Sequence, residues 1–328
     1  MVGYRQFCNK LWNACRFAQA YISDFLPVPD MHLTVIHSPW SSVKDLYILS
    51  KLNKLIKGVQ KSMEEYVFGE VVNQLHSFFL YDFCDLYLEL VKPVVNNTDE
   101  DNDAARKCVQ VTLFHCLETY LRLIHPLMPF VSEELWQRLP NLSNYTDIKS
   151  IMISPYPTYE NDLDSSEMEE RMELIHSAIK AARSIRVECN VPPGTKPIYY
   201  FVCNNEIAQI ISAQVDDFIT LVKATALTRL DSIDEAPKSC STKVVNDSLT
   251  LFMDLAGAID VQKELTRLEK EEKRIKPMIE QYHLKQSHPD YETNVPEKVR
   301  DINASKLAGY EKELEAVMTA LDNMRALL

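Results

Sequence analysis

Few residues of the sequence combine a reactive type with a spacing that could support catalysis. Asp85 and Glu89 are four residues apart within a helix predicted over 69–92, so both carboxylates would lie on one face. Such a pair can act as general acid and base. The neighbouring sequence contains no other group typical of a catalytic site. We therefore favour structural or surface roles, and a catalytic pair is the alternative.

The motifs of metal and nucleotide sites are absent from the sequence. The eight cysteines include no CxxC pair and the eight histidines include no HxxxH pair, which argues against a zinc site or a thioredoxin-like centre. Only six glycines occur, and none belongs to a P-loop or a GxGxxG turn. We expect no cofactor in this chain. Scattered reduced thiols, without a signal peptide or a membrane span, predict a cytoplasmic protein with no membrane partner.

Anion binding is the chemistry that the charged residues favour. The chain has a formal net charge of −12, yet residues 1–63 carry eight lysines and arginines against three aspartates. A helix predicted over 3–25 places four polar and aromatic residues on the side opposite its apolar positions. These four residues, which we name the N-terminal strip, are Arg5, Asn9, Trp12 and Arg16. The strip is either a solvated face or a surface for nucleic acid.

A second basic surface follows in the next long helix, for which Ser42 and Asp45 provide a start signal. Its apolar positions share one face, and four lysines lie on the other. Such a surface serves either solubility or anion binding. Its members, which we name the lysine face, are Lys51, Lys54, Lys57 and Lys61.

Two further basic groups occur later in the chain. A helix predicted over 166–188 carries cations at i, i+3 and i+6, and a heptad-patterned segment carries several more. A solvated face is the alternative for the first group, and pairing within the helix is the alternative for the second. The groups are Lys180, Arg183 and Arg186, and Lys263, Arg267, Lys270, Lys273 and Arg274.

The elements that would position these groups are mainly helices. Residues 109–124 are apolar around nearly the whole helical circumference, which predicts a helix in the middle of a bundle. Pro126 and Pro129 should end that helix, and Ser132 should cap the next one.

Beyond the bundle the periodicity changes twice. Residues 198–203 read as a strand, 205–225 as a helix, and three short strands follow, which predicts a small α+β module. Two heptad runs joined by a turn through 287–297 then predict an antiparallel hairpin. Pro277 should kink or split its first helix.

Four segments together resemble one family. GYRQFCNKLWNACRFA (3–18), DLYILSKLN (45–53), FCDLYLELVKP (83–93) and HPLMPFVSEELWQRL (125–139) are similar to valyl-tRNA synthetases, class I aminoacyl-tRNA synthetases, of the eukaryotic cytosolic type. The turn CNVPPGTK and the segment GAIDVQKEL extend the resemblance. It implies a mainly α fold: an anticodon-binding helical bundle (1–155), a small α+β tRNA-stem-contact module (156–255) and a C-terminal antiparallel coiled-coil tRNA-binding arm (256–328).

The resemblance also implies the function, and it makes the four basic groups candidate tRNA contacts. We expect the C-terminal part of a valine–tRNA ligase, which binds valine tRNA in protein biosynthesis. The family's His-Ile-Gly-His and Lys-Met-Ser-Lys-Ser motifs and its editing domain are absent, so ATP and Mg²⁺ belong to the full-length enzymes and this chain alone is predicted inactive. The start at Met1, which lacks a helix cap, favours a truncated chain. The alternatives are a free-standing synthetase-like tRNA-binding or regulatory protein, and an assembly module whose coiled coil binds other translation proteins.

Overall fold

The computed structural model of the chain describes residues 2–237, 239–256, 261–287, 300, 303, 304, 306–311, 314, 318 and 321. By its internal contacts the chain divides into two compact units, Met1–Ser177 and Ala178–Leu328. The prediction of a mainly helical fold with a small sheet is confirmed for the described residues.

The first unit is helical. A π-helix, Phe78–Tyr87, separates α4 from α5, and short 3₁₀ turns lie at Glu100–Asn102, Ile151–Ile153 and Asn161–Leu163. The α-helices are α1 Val2–Tyr21, α2 Met31–Ile36, α3 Val43–Glu64, α4 Phe68–Ser77, α5 Leu88–Asn96, α6 Asp103–Ile124, α7 Pro129–Gln137, α8 Leu142–Tyr145 and α9 Ser166–Glu188, whose C-terminal part belongs to the second unit.

Helix α6 is the centre of the first unit, as predicted. It contacts α1, α2, α3, α5 and α7, and nearly every side chain from Cys108 to Ile124 is buried. Burial of each large apolar side chain stabilises the fold by about 1.5–3 kcal/mol. The helix ends at Ile124, ahead of the two prolines that were expected to stop it.

Polar groups are also buried along α6. Glu118 is 1 % exposed, and it accepts hydrogen bonds from Trp136 Nε1 at 3.2 Å and from the Arg122 guanidinium at 2.6 Å. The imidazole rings of His115 and His32 stack with centroids 3.9 Å apart. Burial, together with repulsion from His32 and Arg122, lowers the pKa of His115 well below its usual range, so His115 is neutral in the folded chain.

Two local predictions about helices in the first unit have opposite outcomes. The start of α3 is confirmed, because Ser42 and Asp45 form a capping box. The start of α7 was wrong: Pro129 occupies the first turn and Met128 is the N-cap. Ser132 is therefore inside the helix, where its hydroxyl donates to the Met128 carbonyl and pairs with His125 Nδ1 at 2.7 Å. Proline suits the first helical position because its missing N–H would be unpaired there anyway.

The helix predicted over 69–92 is helical throughout but not a single α-helix. Residues Phe78–Tyr87 are π-helical, and α5 continues through Pro93. Phe79 and Phe83 are fully buried in this stretch, and the Phe79 ring stacks on Tyr120 of α6 with centroids 4.7 Å apart. Aromatic packing against α6 therefore accompanies the wider helical turns.

The second unit contains the small α+β module. Strand β1 lies in the sheet between β2, to which it is parallel, and β4, to which it is antiparallel, so the order is β2-β1-β4-β3. The strands are β1 Ile198–Cys203, β2 Ala226–Arg229, β3 Cys240–Asn246 and β4 Leu249–Asp254. The helix predicted over 205–225 was wrong in one respect, because it is two helices, α10 Asn205–Ser212 and α11 Val215–Val222. Gln214, which is 3 % exposed, lies at the break.

One face of the sheet is buried. Tyr199 and Phe201 of β1 are opposite Met253 and Leu251 of β4, and all four side chains are nearly inaccessible. The Tyr199 hydroxyl donates to the Ala182 carbonyl of α9 at 3.3 Å. The sheet is therefore anchored to the C-terminal part of α9, which also carries the basic group Lys180, Arg183 and Arg186.

The described part of residues 256–328 is helical. Helix α12, Val261–Gln286, continues through Pro277, so the proline does not split it. Residues 306–311 are helical too. The rings of Tyr282 and Tyr310 lie 5.9 Å apart, and His283 Nε2 lies 3.5 Å from a carboxylate oxygen of Glu311. Much of the predicted return helix lies outside the described residues, and the coiled-coil hairpin stays a prediction.

All eight cysteines are free thiols, and four of them are buried. In the first unit Cys15, Cys84, Cys108 and Cys116 are buried, and burial raises the pKa of the Cys84 thiol to about 12. In the second unit the half-buried thiols are Cys189, Cys203 and Cys240.

Candidate nucleic-acid interface

Helix α1 presents the N-terminal strip to solvent. Leu11 and Cys15 are completely buried and fix the opposite face of the helix. Arg5, Asn9 and Arg16 are exposed, and Trp12 is half-buried. The ion pairs of the described residues include neither Arg5 nor Arg16. Both guanidinium groups therefore keep their donors available for phosphate oxygens.

The indole of Trp12 already has one partner, which the sequence did not reveal. The Arg138 guanidinium carbon lies 5.4 Å from the centroid of the Trp12 ring. Arg138 Nε also donates to Glu134 at 2.7 Å, which holds the guanidinium in place. Arg138 lies far from Trp12 in the sequence, so no local pattern could join the two residues. It adds a fixed cation beside the strip.

The lysine face of α3 differs from the strip because intramolecular partners occupy it. Lys54 Nζ lies 2.8 Å from Glu169, and Lys51 Nζ lies 3.8 Å from Asp82. These pairs reduce the positive charge that α3 offers to an external anion. The other two contacts are Lys57 over the Tyr159 ring at 4.5 Å and Lys61 to Glu65 at 3.9 Å.

The two carboxylates that could have formed a catalytic pair are each paired with a lysine. Asp85 lies 2.8 Å from Lys10 Nζ, and this hydrogen bond raises the pKa of Lys10. Glu89 lies 2.5 Å from Lys92 Nζ. Such contacts at partly exposed side chains are those of surface ion pairs, which contribute about 0–1 kcal/mol each. They favour the structural interpretation over the catalytic one.

Two of the predicted cations on α9 contact the C-terminus of α11. Arg186 donates to the Val222 carbonyl at 2.8 Å, and also to the carbonyls of Pro192 and Thr195. Arg183 donates to the Leu221 carbonyl at 3.0 Å. Carbonyls at the end of a helix lack intrahelical donors, so both arginines have a structural role. Lys180 is exposed on the same helix.

Lys223 lies next to these arginines and was missed by the sequence reasoning. It ends α11 in the left-handed conformation, with φ 57° and ψ 50°. For a residue other than glycine this conformation costs roughly 1–2 kcal/mol. Without a glycine or proline at this position, the sequence carries no signal for the turn.

The basic side of α12 is described in part. Lys270 and Lys273 are exposed, and Arg274 is exposed but has an intramolecular partner. Lys276 lies 2.7 Å from Glu272 on the same helix. The side chains of Lys263 and Arg267 lie outside the described residues. Pairing within the helix therefore accounts for some of this charge, and Lys270 and Lys273 stay candidate contacts.

Metal-ligand groups and membrane-spanning helices were sought among the described residues. Among them no group of three or more His, Cys, Asp or Glu side chains could hold a metal ion. None of the described helices is long and apolar enough to cross a membrane.

Two protein families match this chain. Residues 45–201 match a family described as the anticodon-binding domain of tRNA ligase. Residues 260–325 match a family described as the valyl tRNA synthetase tRNA binding arm. The first match includes the lysine face and the basic group on α9, and the second includes the five basic residues of α12 that are candidate tRNA contacts.

Curated relatives align with nearly the whole chain. The valine–tRNA ligase of Takifugu rubripes is 33% identical over 332 residues, which are 100% of this chain and 27% of the relative. The valine–tRNA ligase of Caenorhabditis elegans is 35% identical, and the alignment covers 99% of this chain and 31% of the relative. The valine–tRNA ligase of Syntrophotalea carbinolica is 34% identical, and the alignment covers 100% of this chain and 35% of the relative. The chain thus spans about a third of the length of the relatives it matches. It belongs to the valyl-tRNA synthetase family, of which it carries the anticodon-binding domain and the tRNA-binding arm.

Proposed function

We propose that the chain binds valine tRNA as part of a valine–tRNA ligase. The helical bundle receives the anticodon end, and the arm contacts the body of the tRNA. The observation that carries this proposal is the pair of family matches, because both families are described by tRNA or its anticodon. The relatives named valine–tRNA ligase support valine tRNA as the partner.

Within the bundle, the N-terminal strip is the better candidate for the anticodon contact. Arg5 and Arg16 have no carboxylate partner among the described residues, whereas Lys51 and Lys54 do. A cation that must break an existing ion pair gains less binding free energy when it contacts a phosphate. We therefore rank Arg5 and Arg16 above the lysine face.

The arm and the module complete the proposed tRNA surface. We divide the chain into a bundle (1–155), which carries the N-terminal strip and the lysine face, a stem-contact module (156–255) and an arm (256–328), which carry one basic group each. Lys180 of the module and Lys270 and Lys273 of the arm are exposed, which supports their use.

We assign the chemistry of aminoacylation to residues beyond this chain. ATP and Mg²⁺ would serve that chemistry in the longer ligase, and this chain supplies no step. Purified chain should give no valine-dependent ATP–pyrophosphate exchange above a control without enzyme. We also place the protein in the cytoplasm, where the arm can meet other translation proteins.

The test is a titration of the full chain with unmodified valine tRNA, repeated after exchange of its anticodon for an unrelated triplet. The exchange should weaken binding, since the bundle reads the anticodon. Binding should also weaken steeply with salt, by roughly 0.7–0.9 in the log–log slope for each phosphate contacted. An equal affinity for both tRNAs would refute the anticodon assignment, and absence of binding would refute the proposal.

Two strip variants refine the test. Arg16→Ala should lower the salt slope by up to about one unit, because one phosphate contact is lost. Trp12→Ala should cost about 1–3 kcal/mol of binding with little change in slope, since base stacking is independent of counterion release. Arg138→Gln is the matched control for Trp12, because it removes only the guanidinium beside the ring. Wild-type slopes and affinities in the first two variants would assign the strip to solvent.

A further inference from the structure

The C-terminal end of α9 borders an open cleft of about 670 Å³ within the second unit. Arg183, Arg186 and Lys223 bring three cationic side chains to it. Apart from Asn190, the rest of the lining is apolar, mainly Val187, which is 76 % exposed, and the nearby Pro192 and Pro193. Among the described residues, no carboxylate lines the cleft. The cleft is therefore suited to a ligand in which an anion is attached to a flat apolar group.

The three cations have many unused donors. Arg183 uses one of its five N–H groups, in the bond to Leu221, and Arg186 uses three, in the bonds to Val222, Pro192 and Thr195. No hydrogen bond or ion pair from the Lys223 ammonium group occurs among the described residues. The carbonyl bonds hold the two guanidinium groups at fixed positions. Two of the three cations are therefore held in place before a ligand arrives, which lowers the entropy cost of binding.

The helix dipole offers a competing explanation for the cluster. Cations near the C-terminus of α11 are favourable by themselves, and the two arginines satisfy its last carbonyls. The dipole explains Lys223 less well, because a glycine at this position would end α11 with less backbone strain. At a cleft that already has two cations, the ammonium group of this strained lysine adds a third positive charge.

We propose that this cleft binds a phosphodiester of the tRNA backbone. The phosphate oxygens accept from Arg183, Arg186 and Lys223, and the attached ribose or base packs against Val187 and the two prolines. This inference rests on the proposed function, since it names one contact of the same bound tRNA. It adds Lys223 and the apolar wall to the predicted contacts, and it gives Arg186 two roles, as a helix cap and as a phosphate ligand.

The decisive variant is Lys223→Gly in the full chain, because it should affect folding and binding differently. Glycine relieves the left-handed backbone, so the thermal unfolding temperature should stay the same or rise. Affinity for valine tRNA should fall several-fold, and the log–log salt slope between about 50 and 200 mM should drop by roughly 0.7–0.9. Lys149→Gln is the control: it removes one exposed positive charge from the first unit, and Lys149 is not among the residues that line the cleft.

Phosphate ethylation interference supplies a second measurement on the same complexes. One or two phosphates whose ethylation weakens the wild-type complex should lose that effect with Lys223→Gly and keep it with Lys149→Gln. An unchanged affinity and slope in Lys223→Gly, or an equal loss in the control, would overturn the cleft site and leave tRNA binding by the chain intact. A wild-type chain that does not bind tRNA would instead refute the proposed function, and the cleft site with it.

Discussion

Asn53 of α3 joins the first unit's bundle to the segment that leads into α9, and its replacement gives a sharp test of this packing. The side chain is 1 % exposed. Its Nδ2 donates to the Glu160 carbonyl at 2.7 Å and to Asp164 at 2.9 Å, and its Oδ1 accepts from the Glu160 N–H at 2.9 Å. Asn53→Ala removes all three bonds and leaves both backbone groups of Glu160 without this partner.

The expected cost follows from these bonds. Each contributes roughly 0.5–1.5 kcal/mol net, and the contribution of the bond to exposed Asp164 is at the low end. The half-buried Glu160 backbone recovers part of its hydrogen bonding from water. We expect Asn53→Ala to lower the free energy of unfolding by about 2–3 kcal/mol. With a urea m value of about 2 kcal/mol/M, the midpoint falls by about 1–1.5 M.

Tryptophan fluorescence in urea measures this change selectively, because Trp12, Trp40 and Trp136 all lie in the first unit. Gln60→Ala is the matched control: it lies on the same helix and removes a single bond to the same segment, at 2.9 Å to the Pro157 carbonyl. Its midpoint should fall by about a third as much. If Asn53→Ala costs no more than Gln60→Ala, the paired bonds to Glu160 do not stabilise the unit as we argue.

Three further outcomes are expected. The free energy of unfolding of the first unit should decline as the pH falls below about 6.5, because His115 stays neutral when folded and takes up a proton when unfolded. His115→Phe should reduce the slope of this free energy against pH by up to about 1.4 kcal/mol per pH unit. Lys54→Ala should change the salt dependence of tRNA binding less than Arg16→Ala does, because Glu169 already pairs with Lys54. Removal of residues 256–328 should weaken binding of full-length tRNA, leave anticodon stem-loop binding intact and barely change the fluorescence midpoint of the first unit.

A specific result would contradict each of these three predictions. For the first, a wild-type pH slope in His115→Phe would exclude His115 as the cause. Equal slopes in the Lys54 and Arg16 variants would mean that the ion pair opens at little cost. Full-length tRNA affinity unaltered by the deletion would assign the arm to a protein partner.

The features that could be predicted from the sequence are those with local causes. The capping box at Ser42 and Asp45 needs residues only three apart. Helix α9 begins at Ser166 and ends at Glu188 as expected, because the turn CNVPPGTK stops it. The apolar circumference of α6 likewise indicated its central position before any partner was known.

The features that could not be predicted depend on contacts between residues far apart in the sequence, or on turns without a glycine or proline. Asp82 and Glu169 pair with the lysine face from other elements, so periodicity could not separate this face from a free one. Gln214 breaks the helix over 205–225 without a glycine or proline to signal the break. Lys223 could not be predicted as a site residue, because its position depends on a left-handed backbone conformation that the sequence does not indicate.

The distribution of thiols gives each unit its own chemical reporter of opening. Only a thiolate reacts with alkylating reagents, and a buried thiol with a raised pKa must first be exposed. Cys15 and Cys116 lie in the core of the first unit, and burial raises the pKa of both. Cys203 and Cys240 of the second unit are half-buried, and burial raises the pKa of both, so opening of this unit should speed their reaction. A pulse of reagent followed by peptide mass analysis would therefore measure how often each unit opens in the native chain, and whether bound tRNA slows one unit or both.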